Sequence, residues 1–212
     1  MQLEQMEQTV PVMTARYEAA RLVSAIIHPI AFPLAALGIA LSVVTHSLPD
    51  TVRYVVLASL LTTVPIAALV SVQVLRHKWT DLDVSVRRQR YALYPFGIAC
   101  MLLLAFAFAR IGAPQVAVRS AVALALANAV NGLVNLAYKV SAHATGAAAS
   151  ATLLWLVVPF IGISLLATLA AAAVGWSRVE LQRHTTGQVV LGWSVGILSM
   201  VVAYRVPLPG WL

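Results

Sequence analysis

Between Ala144 and Val174 the chain runs 31 residues without a charged side chain. As one helix this run would be about 46 Å long at ~1.5 Å per residue, against a hydrocarbon core of ~30 Å. It is therefore too apolar for water and too long for one crossing. Pro159 to Gly162 offers a break near its middle. Two short helices, near 144–158 and 161–175, would each cover about 22 Å. Helices of that length need a thinned bilayer or shelter among neighbours.

The rest of the chain repeats the pattern. Apolar segments run from about Leu22 to Val44 (interrupted at His28-Pro29 and Pro33), Val52 to Leu75, Ala92 to Ala109, Val116 to Tyr138 and Val189 to Ala203. Prolines inside such segments kink membrane helices more often than they end them. Ser47, Pro49 and Asp50 mark one turn, Ile111 to Pro114 another, and Pro207-Leu208-Pro209 the tail. With 61% hydrophobic and 10% charged residues over 212 positions, the reading is an all-α, polytopic membrane helical bundle of about six to seven transmembrane helices. It forms a single domain, 1–212, with a polar segment at 1–20 whose three glutamates are unlike a signal peptide. Cys100 is the one cysteine, so no internal disulfide can form. The net charge of +7 fits membrane flanks or an anionic ligand, and no basic stripe interleaved with aromatics suggests nucleic acid.

Three polar clusters interrupt the apolar segments: RHKWTDLDVSVRRQR at 76–90, KVSAH at 139–143 and WSRVELQRHTTGQ at 176–188. With the hairpin in place they follow two, four and six crossings, so all emerge on one face with the N-terminus and can build one site. If the last helix begins near Thr185 or Thr186, His184 and Gln188 stand one turn apart and the amide can orient the imidazole. An arginine, an oriented histidine and a helix N-terminus make a phosphate site.

The order Ser177-Arg178, five residues, His184, three residues, Gln188 resembles the third motif of the type 2 phosphatidic acid phosphatase superfamily, SRxxxxxHxxxD. Most members carry Asp where Gln188 stands, and the HTTGQ ending is similar to dolichyl diphosphatase-like members. KVSAHATG at 139–146 resembles the family's PSGH motif at Ser141 and His143, with Val140 and Ala142 in place of Pro and Gly. The family's KxxxxxxRP is matched at Arg90 alone, since Asp83 stands at the lysine and Tyr91 at the proline. Arg87 lies one turn from Arg90, and Lys139 offers a substitute charge.

The resemblance implies a membrane lipid phosphatase that needs no metal and no cofactor. His184 would be the nucleophile, Gln188 would accept its ring N–H, and His143 would be the general acid and base. Arg178, Arg90, Arg87 and Lys139, with Ser141 and Ser177, would hold the phosphoryl group. The implied substrate is an isoprenoid (di)phosphate or a phospholipid phosphate, with its tail between helices. On the motif side stand ten basic residues, Arg16, Arg21, Arg76, Lys78, Arg87, Arg88, Arg90, Lys139, Arg178 and Arg183, against Arg53, Arg110, Arg119 and Arg205 opposite. The positive-inside rule makes the motif face cytoplasmic.

Two other classes share these residues. A lipid-phosphate binding or transport protein would use the basic cluster without turnover. A Mg²⁺-dependent prenyl- or phosphotransferase would rest on Asp81 and Asp83, although two carboxylates make a poor magnesium site and salt bridges to Arg87 or Lys78 suit them better. Asn128, Asn131 and Asn135 repeat at helical spacing and suit hydrogen bonding between helices, with cavity lining as the alternative. His28, His46 and His77 receive no role.

Overall fold

The computed structural model describes residues 15–28 and 31–207. Most of the polar N-terminal segment, the Pro29 interruption and the end of the tail lie outside the described residues. Nine α-helices follow one another with no strand among the described residues: α1 (Ala15–Ile26), α2 (Ala31–Thr45), α3 (Leu48–Ala58), α4 (Val64–Leu75), α5 (Arg90–Arg110), α6 (Gln115–Ala137), α7 (Ala142–Val157), α8 (Ile161–Glu180) and α9 (Thr186–Arg205).

Among the described residues five spans are long and apolar enough to cross a membrane, Leu48–Leu75, Arg87–Arg110, Gln115–Ala137, Ile161–Glu180 and Thr186–Arg205, and α1 with α2 make a sixth if they form one bent span. The first of these is α3 and α4 joined through a π-helical stretch, Ser59–Thr63. Pro65 has no N–H to bond the carbonyl four residues back, and the wider π turns fall just before it. The polytopic bundle read from the sequence is what the chain forms.

At the element level one expectation is refined and one changes. The apolar segment from Leu22 to Val44, interrupted at His28-Pro29, is two helices that are together long and apolar enough for one span, bent by 51°. The first of them, α1, is amphipathic, and its Arg16 pairs with Glu180 of α8 at 3.0 Å. Only α2 is apolar throughout. The change is at α8, which continues to Glu180, so Ser177 and Arg178 sit on a helix rather than in a loop.

The break in the long uncharged run falls where proline predicts it, with Val158 to Phe160 between α7 and α8. At 16 residues α7 is the short partner and finds its shelter inside the protein. Ala144, Ala147, Ala148, Ala149, Ala151, Leu153 and Leu154 are all buried. Its closest neighbour is α9. A Cβ on Gly192 would stand 2.6 Å from the Ser141 carbonyl oxygen, and one on Gly196 would stand 2.3 Å from that of Thr145. The two glycines, four apart on one face, let the backbones touch, which is how membrane helices associate without a hydrophobic drive between them. This packing fixes the N-termini of α7 and α9 side by side, and the Ser141 N–H bonds the Gln188 carbonyl at 3.2 Å.

Candidate active site

The three polar clusters meet at one end of the bundle, and side chains bonding to backbone carbonyls stitch them together. Arg90, 5% exposed at the start of α5, donates from Nε to the Val84 carbonyl (2.7 Å) and from Nη1 to that of Val140 (2.8 Å). Lys139 donates from Nζ to the Arg183 carbonyl at 2.9 Å. Burial and then the charges of Arg90, Arg178 and Arg183 pull the Lys139 ammonium below its usual range. Such crowding of cations is what an anion site requires.

His184 lies on the short connection from α8 to α9 and is 6% exposed. The end of α8 places it. Gln182 takes a positive φ of 54°, and the N–H groups of Arg183 and His184 both return to the Arg178 carbonyl. Thr185 then caps α9, its hydroxyl accepting from the Gln188 N–H at 3.3 Å while the Gln188 side chain accepts from the Thr185 N–H at 3.4 Å. This reciprocal cap is a capping box.

The box settles the chemistry of the histidine. A backbone N–H can only donate, so the Gln188 atom facing Thr185 is the amide oxygen, Oε1. That same oxygen lies 2.9 Å from His184 Nδ1. Nδ1 must therefore carry the proton, and the lone pair resides on Nε2. Burial, followed by the charge of Arg90, pushes the imidazole down to about 3; the Gln188 hydrogen bond works the other way, while Lys139 and Arg178 add to the fall. At neutral pH the ring is uncharged, with Nε2 unprotonated.

Arg178 is 2% exposed near the C-terminus of α8. Its Nη1 donates to Ser24 Oγ at 2.9 Å and its Nη2 to Asp83 Oδ2 at 2.8 Å, while its Nε has no partner. His143, in the first turn of α7, has Nε2 3.7 Å from Asp83 Oδ1. His143, Arg178 and His184 are within electrostatic reach of one another. Ser141 is the N-cap of α7, accepting from the Ala144 N–H at 3.3 Å. Arg178, Arg90, Lys139, Ser141, His143, His184 and Gln188 are thus gathered, with two helix N-termini contributing partial positive charge.

Two residues of the predicted set have other work. Arg87 donates from Nη1 to the Asn135 and Leu136 carbonyls at 3.2 and 2.7 Å, closing the C-terminus of α6. Ser177 is fully buried, and its hydroxyl donates to the Val174 carbonyl of its own helix at 2.8 Å. Neighbours in a helix point ~100° apart, so Ser177 cannot follow Arg178 into the site.

The carboxylates are also corrected. Asp83 pairs with Arg178, not with Arg87 or Lys78. Asp81 accepts from the Ser85 N–H and hydroxyl and from the Thr80 hydroxyl, which shapes the loop. Among the described residues no three His, Cys, Asp or Glu side chains come together as a metal site would require. Burial by itself would raise the Asp83 carboxyl, but the charge and hydrogen bond of Arg178, with His143 and Arg183, outweigh it and hold the group below its ordinary range. The carboxylate is ionised at neutral pH.

Beneath the site lies a cavity of about 270 Å³ with Asp83, Arg90 and His143 at its mouth. Below them its lining is mainly apolar, including Leu93, Gly97, Met101 and Phe108 of α5. From Arg90 to Phe108 along α5 is about 27 Å at ~1.5 Å per residue, most of a bilayer core. Thr62 of the π-helical stretch also lines it. Asn128 and Asn131 do two jobs, lining this cavity and bonding between or within helices, Asn131 Nδ2 to Thr145 Oγ1 at 3.1 Å and Asn128 Nδ2 to the Leu124 carbonyl at 2.9 Å. His28 was given no role from sequence, yet it lines the cavity. Spacing along the chain gives no signal for it, because most of the residues that line the cavity with it are distant in sequence.

Residues 134–210 match the family model described as the PAP2 superfamily. That stretch carries the second and third clusters and stops short of the first, whose departures from the family pattern are the largest. No curated protein and no solved structure matches the chain.

Proposed function

We propose, from the premise that the chain belongs to the PAP2 superfamily through residues 134–210, that it hydrolyses an isoprenoid (di)phosphate by way of a phosphohistidine. Membership supports a lipid-phosphate hydrolase in the integral-membrane class. The observation that carries the finer reading is the Gln188 oxygen shared between Thr185 and His184, which leaves Nε2 of a neutral, buried imidazole as the nucleophile.

In this reading Nε2 attacks phosphorus in line with the bond to the leaving oxygen. A new N–P bond forms as the P–O bond breaks. Burial and then the charge of Arg178 hold His143 down to about 3 in the free protein. It therefore takes up its proton with the incoming phosphate, whose negative charge favours the imidazolium, and gives it to the departing oxygen. Arg178 and Arg90, with the α7 and α9 N-termini, offset the charge on the equatorial oxygens. His143, now neutral, takes a proton from water, whose oxygen attacks phosphorus and releases phosphate and His184. The isoprenoid tail occupies the apolar cavity, whose depth suits one long chain. The excess of basic residues on the motif side supports a cytoplasmic position for that face.

The test is phosphate release from farnesyl or geranylgeranyl diphosphate by purified protein in detergent with EDTA, beside His184→Ala. Release that survives EDTA and disappears in the variant is the expected result. Absence of release from those diphosphates and from phosphatidic acid would shift the reading to a lipid-phosphate binder or carrier. Release that depends on Mg²⁺ would overturn the histidine route.

A further inference from the structure

Asp83 stands where an incoming phosphate would bind. Its two oxygens reach the two groups that reading assigns to the phosphoryl and leaving-group ends, Oδ2 to Arg178 Nη2 at 2.8 Å and Oδ1 toward His143 Nε2 at 3.7 Å. Arg183 is a second permanently positive neighbour beside Arg178. Two spaces share the carboxylate, the apolar cavity and a more open recess of about 290 Å³ whose lining includes Arg21, Ser24, Arg178 and Arg183. Asp83 and His28 line both.

The loop is built to hold the carboxylate there. Val84 takes φ 49°, a left-handed conformation that a β-branched residue adopts only under constraint. Its side chain is 2% exposed in a small core with Val70 and Trp79. Its carbonyl is clamped by Arg90, and its N–H bonds the Asp81 carbonyl at 3.1 Å. A segment held in a strained conformation by three independent contacts presents Asp83 by construction. Yet the Asp83 side chain is 33% exposed while that of Arg178 is 3% exposed, so the anion is the partner that can leave.

We propose that Asp83 is a specificity-determining residue, an internal anion that occupies the phosphate position on Arg178 and yields it only to a phosphate carried on an apolar chain. The proposal rests on the phosphate-site reading above. A free phosphate brings no binding energy beyond its own charges, and it must either displace the carboxylate or sit beside it against like-charge repulsion. A chain-borne phosphate also fills the cavity, and the energy of burying that chain offsets the displacement. The site would then resist inorganic phosphate, including its own product.

The experiment titrates inorganic phosphate against purified protein in detergent and reads the rise in unfolding temperature, with no turnover required. Asp83→Asn keeps the shape and removes the charge; Asp83→Ala removes both. Each is expected to bind inorganic phosphate at least tenfold more tightly than wild type. Asp81→Asn, which loosens the same loop without touching Arg178, is expected to show no gain. Unchanged or weaker binding in both Asp83 variants would overturn the proposal, as would an equal gain in Asp81→Asn. Turnover of a prenyl diphosphate is measured separately. If wild type shows none while the phosphate shift in Asp83→Asn persists, the hydrolytic reading fails and the internal anion stands.

Discussion

At position 188 an amide stands beside the imidazole, and an amide carries no charge. It fixes the tautomer of His184 but gives less support to an imidazolium than a carboxylate would. Gln188→Leu removes the acceptor and one arm of the capping box, and the expected loss in kcat is about 100-fold or more. Gln188→Glu keeps the acceptor and is expected to retain turnover while raising the His184 pKa, read by imidazole nitrogen NMR. The wild-type ring, held down to about 3, should show no titration between pH 5 and 8 in the free protein. Because its folded value lies below the ordinary 6.5, the unfolded chain binds the extra proton first. Stability is therefore lost as pH falls below 6.5 toward 3 and is untouched by this group above 6.5. At this scale the sequence was informative where partners are local: His184 and Gln188 are four apart across a helix start. It gave Asp83 nearby partners, Arg87 or Lys78, because its actual partner Arg178 is 95 positions away and its presentation depends on the backbone of Val84. It also misled at Ser177, since adjacency in a motif does not say which way a helix turns each side chain.

Among the elements, α7 and α9 matter most, because their contact sets the relative position of His143 and His184. Gly196→Ala places a methyl group 2.3 Å from the Thr145 carbonyl oxygen, and overpacking of that kind costs ~1–3 kcal/mol. The expected result is a lower unfolding temperature together with reduced turnover. Gly38→Ala in α2 is the comparison, since its new Cβ would meet nothing nearer than Val55 Cγ2 at 3.5 Å and should be neutral or mildly stabilising. The break at Pro159 and the start of α9 were legible because proline and capping residues are local signals. The interruption between α1 and α2 was legible at Pro29 for the same reason, but the amphipathic character of α1 was not, because an apolar stretch measured by length alone does not distinguish a helix packed on α8 from one that crosses. The spacing of Gly192 and Gly196 was visible in the sequence, and it is the signal that would have paired α9 with the alanine-rich α7.

For the molecule as a whole, the three polar clusters gather at one end as the crossing count expects, although among the described residues the long apolar spans number five, or six with α1 and α2 as one bent span, and α7 is shorter than a full crossing. At the other end, Arg119 ties α6 to the carbonyls of Ala203 and Val206 at 2.7 and 3.1 Å. The cytoplasmic assignment of the motif end is tested with Cys100→Ala as background and a single cysteine at Lys78 in sealed, right-side-out spheroplasts. An impermeant maleimide should leave that cysteine unlabelled until the membrane is opened, and labelling beforehand would reverse the orientation.

The stitching of the clusters also bears on how the protein is made. Arg90 awaits Val140, Lys139 awaits Arg183, and Ser141 awaits Gln188, each bond reaching toward a segment synthesised later. Gln188 belongs to α9, the last helix among the described residues, so no earlier length of chain holds the His184–Gln188 pair. On the reading proposed above, a polypeptide still being inserted would be inert toward the lipids around it until α9 is in place.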